Sequence, residues 1–165
     1  MGASGDRGPT SGDMPMNWHR TSHLGYVRAV ARELNELRIR TQDPKNSSTK
    51  LRRAASLWML DWEYFPWIGP CDVWVGVEWD EEFGWTVNRT DEINAGPCRG
   101  RAEARYGIGL GVVPEAAEAA LRIGLACESE SDFESLTIAR QLRRADIHDP
   151  HLEAELAAHL PANHS

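Results

Sequence analysis

Apolar and polar residues alternate along residues 72–88, and this alternation predicts a β-hairpin. The connection between its two strands falls at residues 80–84, and the apolar face continues on the return strand at Trp85 and Val87. The apolar face of the first strand carries Val73, Val75, Val77 and Trp79. A second alternating run, residues 106–113, has glycine at every other position. It predicts a third strand with one bare face that another backbone approaches closely.

Apolar residues at helical spacing predict helices on both sides of this strand block. The clearest helix covers residues 22–40, where one apolar stripe recurs every three to four positions. Pro114 predicts the start of a second helix, and a capping pattern predicts a third over residues 131–144. Asp149-Pro150 predicts a short last helix. Helices around one central strand block predict an α+β fold with a small antiparallel sheet flanked by helices.

Composition divides the chain into three parts. Residues 1–20 are rich in Gly, Ser, Pro and Asp and hold almost nothing apolar, which predicts a disordered tail. Residues 21–145 are predicted to form a single α+β domain, and residues 146–165 a C-terminal helical tail. A length of 165 residues suits one domain with a real core. Inside that domain, residues 54–60 suit either a strand or a short helix.

The net charge of −7 is unevenly distributed along the chain. Residues 1–60 carry ten basic and five acidic side chains, whereas the remainder carries eight basic and twenty acidic ones. An acidic chain is a poor polyanion binder as a whole, but its basic part can still contact nucleic acid locally. The residues that would do so are Arg28, Arg32, Lys50, Arg52 and Arg53. Because no DNA-binding motif frames them, a solvated helix face is the favoured interpretation.

Cysteine usage indicates the compartment. Cys71, Cys98 and Cys127 are odd in number, widely spaced and without a CxxC motif. Free thiols are typical of reducing compartments, so a cytoplasmic location is predicted. The N-terminal residues show neither the basic nor the apolar region of a secretory signal, and no apolar run is long enough to span a bilayer. No membrane association is therefore expected.

Three segments follow one another in a distinctive order: GYVRAVA at residues 25–31, VEWDEEFGW at residues 77–85 and GVVPEAAEAAL at residues 111–121. In order and spacing they resemble a family of small actinobacterial domains of unknown function. Genes of that type are often found among the accessory genes of plasmids and integrative elements. The resemblance covers roughly residues 24–125 and implies an accessory role on a mobile element. It implies no catalytic residue.

No catalytic, metal or cofactor motif stands out. The GxGxG pattern at residues 107–111 lacks the buried strand and the directly following helix of a phosphate loop. On a helix with a rise of 1.5 Å per residue, His151 and His159 lie about 12 Å apart, too far to share a metal ion. The acidic triplet Asp80–Glu82 is typical of a solubilising hairpin turn. We therefore expect no enzyme activity, no cofactor and no metal.

Tryptophan is the most distinctive residue, since residues 58–87 hold six of the seven. So small a domain cannot easily bury all of them, and exposed tryptophan is favoured at interface hot spots. The predicted partner-binding residues are Trp58, Trp62, Trp67 and Trp74. The favoured interpretation is a non-enzymatic accessory or regulatory protein that binds another protein through this surface. The alternative is a DNA-associated regulator of a mobile element's replication or transcription. Partner and oligomeric state do not follow from the sequence.

Overall fold

The computed structural model describes residues 21–59, 73–91 and 102–161. Within these ranges the chain forms an α+β fold, as predicted, with six antiparallel strands that pair in chain order. None of the described helices is long and apolar enough to cross a membrane. In chain order, the elements are α1 (Leu24–Glu36), β1 (Lys45–Asn46), β2 (Ala54–Leu57), β3 (Val73–Asp80), β4 (Gly84–Asp91), β5 (Ala102–Gly107), α2 (Ala116–Glu128), α3 (Glu130–Glu134), β6 (Thr137–Ile138) and α4 (Pro150–Ala157).

The predicted hairpin is confirmed as β3 and β4. Its register pairs Val77 with Val87 and Trp79 with Trp85, and all four side chains are buried. Because side chains alternate across a strand, these residues share the face of the sheet that the helices cover. The segment at residues 54–60, for which strand and helix were both open, contains strand β2. It pairs with β3 along its whole length.

The two buried tryptophans have a structural role. The Trp85 Nε1–H donates to the Tyr26 hydroxyl at 2.8 Å, and the Trp79 Nε1–H donates to the Val112 carbonyl at 2.7 Å. Tyr26 in turn donates to the Pro114 carbonyl at 2.9 Å. Each polar tip of this aromatic cluster is therefore satisfied, which burial of such groups requires. The cluster joins α1, the β3–β4 hairpin and the segment that precedes α2.

Helix α1 is shorter than the predicted 22–40 because its end is capped by backbone hydrogen bonds. Arg38 adopts a left-handed conformation with φ of 66°. The N–H of Ile39 donates to the Leu34 carbonyl and that of Arg38 to the Asn35 carbonyl, both at 2.9 Å. This is a Schellman motif, and it is usually built on glycine. Burial of both Ile39 and Leu34 in the core stabilises the motif here.

The third strand differs from the prediction over residues 106–113. Strand β5 covers residues 102–107 and ends at Gly107. Pairing with β4 brings the polar residues before Tyr106 into the sheet despite their low strand propensity. Gly109 has a φ of 77° and belongs to an irregular segment. No described atom comes within 4 Å of the position that a Cβ would take at Gly109 or at Gly111. The expected close packing against a bare glycine face is therefore wrong at these two positions.

The helix predicted over residues 131–144 is also wrong. Helix α3 ends at Glu134, and the next residues form β6, which pairs with β5. Beyond β6 the Ala139 N–H donates to the Arg105 carbonyl, and the Leu142 N–H donates to the Glu82 carbonyl. The backbone of this segment therefore bonds to the sheet and to the hairpin turn instead of to itself, and tertiary hydrogen bonds override the local capping signal.

The last predicted helix is confirmed as α4. It is not a separate tail, because it packs into the hydrophobic core of the domain. Leu152 and Leu156 are buried in the hydrophobic cluster that the sheet shares with α1 and α2. The start of α1 packs directly on the residues that follow α4. The contact is so close that a Cβ at Gly25 would collide with the His159 carbonyl. The predicted boundary at residue 145 does not separate α4 from the domain. The tail predicted for residues 1–20 lies outside the described residues.

Candidate functional site

Arg53, at the start of β2, is the centre of a buried ion-pair network. Its guanidinium contacts Glu81 through Nε at 3.0 Å and Glu153 of α4 through Nη2 at 2.8 Å. A further bond from its Nη1 reaches the Thr21 carbonyl at 3.0 Å. Only 6% of Arg53 is exposed. One side chain therefore ties the sheet, the β3–β4 turn, the C-terminal helix and the start of the described chain together.

The acidic turn Asp80–Glu82 is bound to cationic side chains of the same chain. Arg52 Nε lies 3.1 Å from Asp80 Oδ2, and Arg143 Nη1 lies 3.3 Å from Glu81 Oε2. Glu82 accepts a hydrogen bond from the Ala145 N–H at 2.8 Å. Asp80 and Glu81 are both buried. The predicted solubilising turn is therefore wrong, and this turn is an anchor for the segment that replaces the predicted third helix.

The titration of these carboxylates agrees with a structural role. Burial raises the pKa of Asp80, and hydrogen bonding and the Arg52 charge oppose this rise. Burial acts on Glu153 in the same direction, but hydrogen bonds from Arg53 and from the Thr21 N–H outweigh it and hold the pKa of Glu153 below its ordinary value. Pairing with Arg53 therefore stabilises Glu153 as an anion, whereas burial disfavours the anion of Asp80 in spite of Arg52.

The five residues of the nucleic-acid alternative divide into two groups. Arg52 and Arg53 are bound to carboxylates, and Arg53 is buried. Arg28, Arg32 and Lys50 are exposed, and none of them forms an ion pair with another residue of the described ranges. The structure therefore leaves three of the five side chains available to a ligand. It does not bring the five together into one basic surface.

Arg28 and Arg32 line an open cleft of about 620 Å³ beside α1. The cleft lies between α1, residues 41–44 and residues 158–161, which follow α4, and His159 forms part of the opposite wall. The His159 ring packs edge-on against Tyr26, with 5.1 Å between ring centroids. Because Tyr26 is fully buried, this contact fixes the wall to the core. The cleft is thus formed by well-anchored elements.

Asn35 and Thr41 are polar residues in the lining of this cleft. The Asn35 side chain donates to the Ala31 carbonyl at 2.8 Å and accepts from the Thr41 N–H at 3.3 Å. The Thr41 hydroxyl oxygen is shielded from solvent and has no hydrogen-bond partner among the described residues. Buried hydroxyls are normally hydrogen-bonded, so Thr41 is an exception within the described residues, and its shielded hydroxyl does not face the cleft.

The second candidate surface is the face of the sheet opposite the helices. Ala55 and Leu57 point into the core, so alternation places Trp58 toward this outer face. Trp58 is 47% exposed. Continuing the β2–β3 register places it opposite Gly76, where no described atom lies within 4 Å of the position that a Cβ would take. Farther along the same face, Arg105 Nη2 lies 3.0 Å from Glu78 Oε2.

The predicted tryptophan surface is described only in part. Trp58 is substantially exposed, as expected for a partner-binding residue. Trp62 and Trp67 lie outside the described residues, and Trp74 is described only by its backbone, which pairs with Thr90 in the hairpin. The prediction that these four form one surface stays a prediction. Trp58 is the member whose environment the structure gives.

The remaining titratable groups have structural surroundings. His23 stacks on Trp79 at 5.3 Å, its Nε2 lies 3.1 Å from the Ala54 carbonyl, and burial lowers its pKa. Burial raises the pKa of the Cys127 thiol to about 12, so the thiolate is a minor species at neutral pH. In the part of the chain that the structure describes, no group of three His, Cys, Asp or Glu side chains is placed to hold a metal ion.

Sequence reasoning missed both the network around Arg53 and the cleft beside α1. Arg53 is 28 residues from Glu81 and 100 residues from Glu153, so no local pattern signals their contact. The cleft likewise needs α4 to pack against α1, whereas the sequence suggested a separate C-terminal tail. A weak signal was present in Arg28 and Arg32, because residues four apart share one face of a helix.

In comparison with known proteins, no family model matches the chain, and no curated protein or solved structure matches it. The resemblance to small actinobacterial domains therefore stays a prediction. What the structure establishes is an α+β domain with two surface features: an outer sheet face with an exposed tryptophan, and a cleft with two arginines.

Proposed function

We propose that this protein is a non-enzymatic binding module that contacts another protein through the outer face of its sheet. The observation that supports the proposal is the exposure of the Trp58 side chain on that face. Tryptophan is costly to leave in water, and it is among the residues most enriched at interface hot spots. A half-exposed tryptophan beside the open position at Gly76 is therefore a suitable anchor for a partner.

Other exposed apolar residues do not support an equally specific interface. Leu121 and Leu125 are exposed on α2, but leucine is under-represented among hot spots and single exposed leucines are common on protein surfaces. The outer face also offers polar groups, because the Glu78–Arg105 pair crosses it between β3 and β5. Protein interfaces usually combine apolar anchors with polar hydrogen-bonding groups.

The alternative, in which the basic N-terminal region binds DNA, has less support than the protein-binding proposal. Affinity for a nucleic-acid backbone grows with the number of phosphates that cations neutralise. Arg52 and Arg53 are already bound to carboxylates, which leaves Arg28, Arg32 and Lys50 to contact phosphate.

The resemblance to small actinobacterial domains adds a biological setting to the protein-binding proposal. It implies an accessory or regulatory role on a mobile element, in the cytoplasm. The buried free thiol of Cys127 is compatible with a reducing compartment.

Site-specific cross-linking tests the protein-binding proposal. A photoreactive amino acid placed at position 58 should capture one defined protein in host cells, because the partner would cover this position. The matched control is the same amino acid at Leu121, which is equally exposed on α2. The captured protein is then purified, and its affinity is measured for the unmodified chain, Trp58→Ala and Leu121→Ala.

We expect Trp58→Ala to weaken binding by about 10-fold or more, since truncation of a hot spot costs over about 1–2 kcal/mol. Leu121→Ala should stay within about 2-fold of the unmodified chain. Thermal melts of both variants should be unchanged, which separates lost contact from lost folding. Equal capture at both positions, or a Trp58→Ala variant with full affinity, would contradict the proposal.

A further inference from the structure

We infer that the cleft between α1 and residues 158–161, which follow α4, binds a small phosphate-bearing ligand, with Arg28 and Arg32 as its anchors. This site shares no residue with the outer sheet face around Trp58. It therefore does not depend on the proposed protein-binding role. The ligand class is a phosphomonoester of small-molecule size, such as a mononucleotide or a sugar phosphate.

The charge of the cleft is the first argument. Arg28 and Arg32 are four residues apart on α1, so their Cβ atoms lie about 5–6 Å apart on one helix face. Both are exposed, and neither forms an ion pair with a described residue. Arginine presents a planar fork of donors that matches phosphate oxygens in bidentate fashion. Asp43 also lines the cleft, and the two guanidinium groups outnumber its single carboxylate.

The shape of the cleft is the second argument. A volume of about 620 Å³ lies within the range of about 300–1,000 Å³ that is typical of small-molecule sites. Its opposite wall is fixed, because Gly25 packs against the His159 carbonyl and the His159 ring packs on Tyr26. A cleft whose walls hold their geometry offers a ligand a largely preformed site.

Polar side chains in the cleft lining are the third feature. The Thr41 hydroxyl oxygen is not one of them, because it is shielded from solvent although its residue lines the cleft. Gln42 and His159 add side-chain groups that can donate to phosphate or ribose oxygens.

The same features argue against an extended nucleic acid as the ligand. Two cations release few counterions, so they give little affinity for a continuous phosphate backbone. The net charge of −7 also opposes the approach of a long polyanion. A single phosphate group instead meets both arginines at once, in a concave site of limited size.

Calorimetric titration tests the inference with three probes at one fixed ionic strength: inorganic phosphate, adenosine monophosphate and a single-stranded DNA dodecamer. The variants are the double replacement Arg28→Gln with Arg32→Gln, and the control Arg122→Gln. Arg122 is an exposed arginine of α2 outside the cleft. All three positions are exposed, so folding should be retained, and a thermal melt verifies this.

We expect saturable binding of adenosine monophosphate by the unmodified chain, and weakening by about 10-fold or more in the double variant, because hydrogen bonds to charged groups are lost. Arg122→Gln and Trp58→Ala should stay within about 2-fold of the unmodified chain, which keeps this test separate from that of the sheet face. The inference is overturned if no probe binds or if the double variant binds as well as the control. Binding of the dodecamer alone, without binding of adenosine monophosphate or inorganic phosphate, would overturn it in favour of nucleic acid.

Discussion

The side chains of Arg53 and Glu81 form a buried ion pair that their own backbones reinforce. Arg53 Nε and Nη2 lie 3.0 and 2.9 Å from Glu81 Oε2, and the Arg53 N–H donates to Glu81 Oε1 at 2.7 Å. The Glu81 N–H donates back to the Arg53 carbonyl at 3.1 Å. These bonds close the β3–β4 turn onto the start of β2. They hold charges in the interior that must stay paired.

Arg53→Ala should be strongly destabilising, because it leaves Glu81 buried without its main cationic partner. Breaking one side of a buried pair typically costs about 3–5 kcal/mol. Urea unfolding followed by circular dichroism measures this cost. The matched control is Arg144→Ala, whose ion pair with Asp146 is fully exposed, and its midpoint should hardly move. Similar midpoints for the two variants would contradict the structural role of the network.

The low pKa of Glu153 predicts a loss of stability in acid. A carboxylate whose pKa is lower in the folded than in the unfolded chain stabilises the fold fully above its ordinary pKa of 4.5. That stabilisation disappears as the pH falls through the lower pKa of the folded protein. The stability difference between the unmodified chain and Glu153→Gln should therefore shrink from neutral pH toward pH values well below 4.5.

Urea midpoints of both proteins over this pH range give the measurement. Asp80 contributes with the opposite sign, because burial raises its pKa, but it is present in both proteins and cancels in the difference. A difference that stays constant with pH would show that Glu153 is not held as an anion by Arg53. Salt should weaken the effect little, since Arg53 is buried.

Gly25→Ala should destabilise the protein although alanine is the better helix former. Inside a helix this replacement ordinarily gains up to about 1 kcal/mol. At Gly25 the new Cβ would collide with the His159 carbonyl, so α4 must shift, and overpacking of this kind typically costs about 1–3 kcal/mol. Gly76→Ala is the control, because no described atom is near its Cβ position and the change should be neutral or slightly favourable.

Thermal unfolding of the two glycine variants decides this point. A lower melting temperature for Gly25→Ala, together with an unchanged or higher one for Gly76→Ala, is the expected result. A higher melting temperature for Gly25→Ala would mean that α4 does not pack on α1. The wall of the cleft beside α1 would then be absent as well.

Trp58→Phe should remove a fluorescence component that acrylamide quenches easily, since Trp58 is 47% exposed. Trp85→Phe should instead remove a shielded component, because Trp85 is only 1% exposed. Quenching of the two variants and of the unmodified chain gives the accessible fraction directly by difference. If both replacements reduce the shielded emission alone, Trp58 is covered in solution and the outer sheet face is not available to a partner.

The sequence by itself determined the elements whose signals are local and repeat along the chain. The alternation around Val77 and Trp85 predicted the hairpin and its buried face, because a period of two fixes which side chains share a face. The apolar stripe predicted α1, and Asp149-Pro150 predicted α4, since caps and periodicity act within a few residues. These elements were enough to predict an α+β fold.

Only the tertiary structure decided the features that depend on distant partners. The segment after α3 is not a helix, because its backbone groups bond to Arg105 in the sheet and to Glu82 in the β3–β4 turn. The acidic turn is buried, because Arg53 pairs with Glu81 across 28 residues and with Glu153 across 100 residues. The cleft at Arg28 exists because residues 158–161, which follow α4, pack on the start of α1. Contacts of this kind leave no local periodicity, so their long-range geometry had to be seen in the folded chain.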